Sequence, residues 1–549
     1  MDQDSKDNIS LVINYHQSTK HYFDRYARSP GGLDWANQPD PFRRYEGAEL
    51  IPLDHLPPGV KPLYEPVFVE GNIPPEPLKR KTISQLFYDS LALSAWKQAG
   101  GVKWALRVNP SSGNLHPTEG YLICGSIPEV CDQPMVCHYA PKEHALEKRT
   151  EFSNDLWEEL SGSFPNGSVL IGLTSIFWRE AWKYGERAFR YCQHDLGHAI
   201  ATVSLAAAGL GWKAILLDHL STIELETLLG ISAPKGTEPE HTECLLVIYP
   251  QGKKNPTFTI SEETLVKFKT LTWAGKPNCL SPSHVDWPII DQTADASVKP
   301  QTQQVSPPIP ERKILEAGTT PISFRKILHQ RRSCLSLNGQ TGMVDEGLYQ
   351  IFRKTLVGPA QFPFNTLPWD PKIHLAIFIH RVENLNPGLY FLVRNPSQLE
   401  EIKNAMNKEF LWEKPASCPG DLDFFRLLVG DAKRVSEQIS CHQGIAADGC
   451  FSLGMIAEFD VPLNTYGAWF YPRLFWEAGL VGQMLYLEAE AFCLRGTGIG
   501  CFFDDPMHEL LGLSDLKYQS IYHFTLGGNV NDPRLTTLPP YSEIKQPSP

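Results

Sequence analysis

Three clusters in this 549-residue chain hold side chains whose types and spacing could do chemistry. The first is Arg107-Val108-Asn109-Pro110-Ser111-Ser112-Gly113-Asn114-Leu115-His116-Pro117. Proline, serine, glycine and asparagine together force a loop and crowd short polar groups and backbone N–H donors into one place. Such a loop can grip an anion or the polar edge of a planar heterocycle, although an ordinary turn with a Ser or Asn cap uses the same residues. The second runs from Ile322 to Ser333, with Phe324, Ile327 and Leu328 on one helical face and Arg331, Arg332 and Ser333 closing it. Guanidinium groups beside a hydroxyl suit a bidentate phosphate contact, and basic residues also complement a helix C-terminus. The third is Arg495-Gly496-Thr497-Gly498-Ile499-Gly500-Cys501-Phe502, followed by Gly527-Gly528 and Arg534. Its glycines allow the backbone to approach something flat or simply to turn.

Several chemistries are excluded. A Rossmann site needs strand, glycine loop and helix in that order with G-x-G-x-x-G spacing, whereas here a helix precedes and Cys501 breaks the spacing. There is no G-x-S-x-G elbow, and His16, His21, His194 and His198 have no nucleophile motif beside them. His194 and His198 stand one helical turn apart but lack a third ligand, so no metal is expected. A net charge of −12 argues against a general nucleic-acid binder without excluding a local anion pocket. The longest uncharged apolar stretch, Ala199 to Trp212, is too short for a bilayer span of ~20 residues. With no secretory signal and 12 cysteines in no paired framework, the reading is a cytoplasmic chain with reduced thiols.

The elements that must position these clusters fall into two halves. A length of 549 residues exceeds what one core usually supports, and 42% hydrophobic residues can build large cores. Proline, at 45 residues, is well above the usual ~5% and predicts extended stretches. Between Asp291 and Pro321 the chain is rich in Gln, Thr and Pro and loses apolar periodicity, which predicts a linker. A shift of 282 residues places Gly197 on Gly479, Leu205 on Leu487, and Leu228-Leu229-Gly230 on Leu510-Leu511-Gly512. Asp195 then matches Glu477. In each half a helical period follows the glycine, and then comes a β-like run ending at Tyr249 or Leu526. An internal duplication explains the shared offset. The expectation is an α+β fold with an irregular, Pro-rich extension over residues 1–75. A first domain at 76–252, a linker at 253–320 and a second domain at 321–549 complete it.

In combination these residues resemble the flavin-dependent nitroreductase-like family, and specifically its tandem azoline-dehydrogenase (SagB/ThcOx-type) branch. The resemblance runs through Tyr15 to His21, Arg107 to Glu119, Lys183-Tyr184-Gly185 to His198, Arg331-Arg332-Ser333, and Trp476 through Leu513. It implies FMN bound at the interface of two nitroreductase-like domains, each contributing to the pocket. One partner of the family supplies the Arg-x-Ser segment, a glycine strand and a late phosphate arginine; the other supplies a Pro-Ser-Ser-x-Asn loop. Here the second half carries Arg331, Arg332, Ser333, Gly498, Ile499, Gly500, Gly528 and Arg534. The first half carries Arg107, Pro110, Ser111, Ser112 and Asn114, and reads Trp212-Lys213-Ala214-Ile215-Leu216 where the second has glycines. What each half keeps the other lacks, so a monomeric intramolecular pseudo-dimer with one FMN per chain is expected.

The resemblance also implies that Lys183 and Tyr184 are catalytic, deprotonating an azoline ring in a small-molecule or modified-peptide substrate. Two departures stand out: Leu335 occupies a position that is often basic in the family, and Gln17-Ser18-Thr19-Lys20 resembles a weak second Arg-x-Ser segment. Alternatives that stay open are an NAD(P)H-dependent nitro- or quinone reductase, which does not need Lys183, and a flavin-binding or flavin-free scaffold. No nucleic-acid or membrane partner is expected.

Overall fold

The computed structural model describes residues 3–231, 238–252, 258–303, 321–358 and 361–541. Two antiparallel sheets dominate it. The first orders its seven strands Glu49–Pro52, Ala145–Glu151, Met135–Ala140, Thr118–Cys124, Val169–Ser175, His241–Pro250, Trp212–Leu216. The second orders six: Phe424–Val429, Gly388–Leu392, Ile373–Ile379, Phe451–Glu458, Tyr518–Gly527, Arg495–Ile499. The edge strand of each, Trp212–Leu216 or Arg495–Ile499, pairs with the long strand that follows it across a short helix.

Between the sheets lie two helices of 21 residues, Ala188–Ala208 and Tyr471–Ala491. Every residue of the first and all but Ala491 of the second are buried, including charged residues such as Asp195 and Glu488. They pack on each other at a pair of glycines. A Cβ on Gly197 would stand 2.3 Å from the Trp476 carbonyl oxygen, and one on Gly479 would stand 2.5 Å from that of His194. The missing side chains therefore set the distance between the halves.

Each half also sends an arm across the other. His21 N–H donates to Asp504 at 3.0 Å, and Lys20 pairs with Asp505 at 2.7 Å. Arg187 and Arg190 hold Asp504 from the first half at 3.1 and 2.9 Å. The first half's Tyr64 and Glu65 reach the second as well: Glu65 pairs with Lys354, which also pairs with Glu488, and Tyr64 donates to Glu488 at 2.7 Å. Near the C-terminus, Thr536–Leu538 adds a strand to the hairpin Leu93–Ala99/Val102–Arg107 of the first half.

The α+β class stands, while two segments differ from the sequence expectation. Residues 1–75 are irregular over most of their length but include the helix Gln3–Ser18, which buries Ile9, Val12, Tyr15 and His16. The stretch 253–303 is not a bare tether: it contains the helices Glu262–Phe268 and Pro288–Ala296, and a strand Lys276–Pro277 that pairs with Tyr45–Glu46. Burial of Ile290, Thr293 and Ala296 supplies the order that composition alone did not reveal. The rest of the Pro/Gln-rich stretch, 304–320, lies outside the described residues, as do 542–549.

Candidate functional site

The helix Phe324–Gln330 ends at Arg331, and the chain then runs as an isolated bridge, Ser333 beside Gly496, along the glycine strand. That run delivers the Arg331 guanidinium to the first half, where Nε donates to Val108 O and Nη2 to Arg107 O, both at 3.3 Å. Arg332 reaches Ser94 O at 3.3 Å. Around them gather Arg495 and Lys97. Burial first, and then Arg331 and Arg495, lower Arg332 to about 9. Burial leads again for Arg331, lowered to about 10, and for Lys97, lowered with help from Arg332 and Arg495. Glu490, paired with Arg495, is the carboxylate beside this group. Half-buried cations that repel one another favour an anion among them.

Next along the seam is a hydroxyl and glycine surface. Exposed Ser333 shares a 2.8 Å hydrogen bond with Tyr486 OH, which accepts from Gly498 N–H at 2.9 Å. Gly498 lies against Tyr522, and Gly500 against Tyr191 of the first half, so closely that a Cβ would fall 2.0 and 2.1 Å from their side chains. Ile499 is buried between them.

The first half contributes the Pro110–Asn114 loop. Ser112 donates to Asp195 through N–H and Oγ, each at 2.9 Å, and Ser111 Oγ accepts from His116 N–H at 2.7 Å. Gly113 at φ +58 adopts a left-handed turn and would strike Tyr184 Oη with a Cβ at 2.7 Å, with Lys183 Nζ at 3.0 Å. The loop therefore sits on the end of the helix Phe177–Tyr184. The Tyr184 and Tyr191 rings stand 4.5 Å apart, which joins the loop to Gly500 across the seam.

Glu180 and Asp195 lie beneath this surface, both buried. Burial pushes the Asp195 carboxyl up to about 7, against the pull of its Ser111 and Ser112 hydrogen bonds. Burial and the neighbouring Asp195 raise Glu180 well above the carboxylate range, and Lys183 opposes that rise. Burial thus favours the protonated form of both carboxyls beside Lys183 and the loop. Tyr184 is also raised, chiefly by burial and then by Glu180.

The structure thus brings together Arg331, Arg332, Ser333, Gly498, Ile499, Gly500, Pro110, Ser111, Ser112, Lys183 and Tyr184. Other expected residues have partners within the chain. Arg107 is buried and donates to Thr118 O at 3.2 Å and Pro41 O at 2.5 Å, so its carbonyl, not its guanidinium, meets the site. Both ends of the Asn114 amide are engaged, Nδ2 on Ala105 O at 2.8 Å and Oδ1 on His116 at 3.0 Å. Gly528 packs on the turn at Asn338 and Thr341. The Arg534 side chain is 84% exposed and tied to Asp532, away from the buried cluster. Sequence reasoning missed Glu180, Lys97, Tyr191, Tyr486 and Tyr522. Only Glu180 left a signal, as a carboxylate three residues before Lys183 on one helix.

Comparison with known proteins agrees with this geometry at the level of the fold. Residues 75–248 match the Nitroreductase family model. A crystal structure from Anabaena variabilis, described provisionally as a nitroreductase, aligns over 95% of this chain and 99% of its own. It has 21% identity and a TM-score of 0.66. A chain of the Escherichia coli microcin synthetase complex aligns over 45% of this chain and 94% of its own, at 18% identity and a TM-score of 0.27. The Vibrio harveyi NADPH:FMN oxidoreductase aligns over 38% and 69%, at 12% identity and a TM-score of 0.22. No curated protein matches the chain. Residues 75–248 are therefore similar to the Nitroreductase family, and the chain as a whole has the nitroreductase fold. Among the described residues no helix is long and apolar enough to cross a membrane, and no cluster of three or more potential ligands could hold a metal ion.

Proposed function

We propose that the chain is an FMN-dependent oxidoreductase of the azoline-dehydrogenase type, built as an intramolecular pseudo-dimer with one FMN pocket. The observation that carries this reading is the cluster of Arg331, Arg332, Arg495 and Lys97 beside the hydroxyls of Ser333 and Tyr486. It fits the phosphate and polar edge of a flavin mononucleotide better than a neutral ligand. These residues, with Gly498 to Gly500, would hold the group against the Pro110–Asn114 loop. When bound, FMN supplies hydride exchange at its N5 position.

The chain's own residues set the proton chemistry. Lys183 is half-buried at the mouth of the seam, its Nζ 5.2 Å from the Tyr184 ring centre. Lys183 Nζ would take the ring proton of an azoline, with the Tyr184 hydroxyl orienting it. Asp195 and Glu180 keep a proton nearby, so the floor under Lys183 carries less negative charge than two carboxylates would give. In the other quadrant Lys20 is engaged by Asp505, which favours one complete pocket over two.

Purified full-length chain should carry close to one FMN per chain by absorbance after denaturation, and Arg331→Ala should purify with less than about a tenth of it. Two flavins per chain would sink the single-pocket reading, and none would favour a flavin-free scaffold. Lys183→Ala should keep its flavin and its NAD(P)H–quinone turnover while losing azoline oxidation by about 10²-fold or more. A wild type that reduces quinones and leaves azolines untouched would point to the NAD(P)H-dependent reductase instead.

A further inference from the structure

At the end of the glycine strand, one residue past Gly500, the sulfurs of Cys501 and Cys441 stand 2.8 Å apart. Both residues are partly exposed. The approach is built by the surrounding chain. Cys441 at φ +53 and His442 at φ +58 are consecutive non-glycine residues in the left-handed region, a conformation that persists only when neighbours enforce it. The neighbours are on the cysteine's own side of the seam: Phe503 N–H donates to Ile439 O at 2.7 Å, and Gln443 Nε2 donates to Cys501 O at 3.0 Å.

Two basic groups from the first half complete the surroundings. His21 Nδ1 accepts the Ala27 N–H at 2.9 Å, which leaves the proton of a neutral ring on Nε2. Arg187 donates to Gly500 O at 3.2 Å, one residue before the cysteine, and pairs with Asp504. The Cys441 hydrogen bond, and then His21 and Arg187, hold the Cys501 thiol down to about 5 against its burial. The same hydrogen bond, with burial, raises Cys441. The paired sulfurs, with His21 and Arg187 beside them, favour the thiolate of Cys501 over that of Cys441. The exposed rings of Phe23 and Tyr26 pack on Phe503 at the rim, 4.7 and 5.7 Å between ring centres.

We propose that Cys501 and Cys441 form a reactive dithiol that exchanges with low-molecular-weight disulfides and closes an internal disulfide between them. The Cys501 thiolate attacks one sulfur of the small disulfide, forming a mixed disulfide and expelling the first thiolate. Cys441 then gives up its proton to solvent and attacks the Cys501 sulfur, expelling the second. The chain loses two electrons and the Cys441 proton, and the two expelled thiolates take up that proton and one from solvent to become thiols. The bond would tie the loop after Lys433–Ile439 to the end of the glycine strand. This proposal does not depend on the flavin reading.

The test treats reduced full-length chain with excess oxidised glutathione at pH 6, quenches with acid, alkylates with iodoacetamide, and maps the digest by mass. The expected product is a Cys441–Cys501 cross-linked peptide lighter by two hydrogens and reopened by dithiothreitol. The exposed Cys279 and Cys493 serve as internal controls. Cys501 should react about fivefold to tenfold faster than either, because the gain in thiolate fraction exceeds the loss of nucleophilicity that accompanies a low pKa. In Cys441→Ser the glutathione adduct should remain on Cys501. Reaction at Cys501 no faster than at the two controls would overturn the proposal. So would a wild type that stops at the adduct without cross-linking, and that arm needs no variant to fold.

Discussion

Asp195 shows how a single buried carboxyl can report on the site. Its folded pKa stands at about 7 against an ordinary 3.8, with burial the leading cause. The native chain therefore keeps this proton to higher pH than the unfolded chain does. Between those two values the native state binds more protons, so stability falls as pH rises. Asp195→Asn removes that titration and keeps an oxygen to accept from Ser112. The variant should gain on wild type as pH goes from 4 to 8, by up to roughly 4 kcal/mol in denaturant unfolding. Parallel stability profiles for the two proteins would show that Asp195 ionises freely. At this scale the Pro110–Asn114 loop was readable because a run of short polar residues is conspicuous, whereas Lys183-Tyr184 came only from the family resemblance. Tyr191 and Tyr486 were not readable, since an aromatic residue inside an apolar helix looks like core.

Among the elements, the crossing of the two long helices determines how the seam is shaped. Their apolar periods and the matched Gly197 and Gly479 are visible in the sequence, but the contact between those glycines is not. Alanine is favoured over glycine in a helix interior by roughly 0.5–1 kcal/mol. At Gly197 the added Cβ would meet the Trp476 backbone at 2.3 Å, where no side chain can swing aside. Gly197→Ala should therefore destabilise the chain by about 1–3 kcal/mol in chemical denaturation. A stabilised variant would mean that the helices can separate without cost. The N-terminal helix Gln3–Ser18 escaped sequence reading for the opposite reason. It is polar over most of its surface, and its buried residues Ile9, Val12 and Tyr15 acquire meaning only once the second half packs beside them, as in the 6.2 Å edge contact of Tyr15 with Tyr471.

Over the whole molecule, the ends of the chain close the structure. Tyr541 is buried in the first half, where its hydroxyl accepts the Leu93 N–H at 2.9 Å and donates to Pro141 O at 2.8 Å. Tyr541→Ala would remove a large buried ring and orphan that N–H, at about 3–5 kcal/mol. If the halves unfold together, the loss should appear as one shifted transition followed by far- and near-ultraviolet circular dichroism. Two separated transitions would show halves that fold independently.

The sequence by itself determined the α+β class and the three polar clusters, because each is written in local periodicity or in a run of neighbouring residues. Tertiary structure alone decided that Arg331 meets the carbonyls of Arg107 and Val108, that Glu180 and Asp195 share a buried floor, and that Cys441 meets Cys501. It also gave the side chains of Arg107, Asn114 and Arg534 partners within the chain. Such facts join residues far apart in the chain, and desolvation and pairing at a seam belong to the packed molecule. A local pattern can say which face of an element is buried, but not which distant face it is buried against.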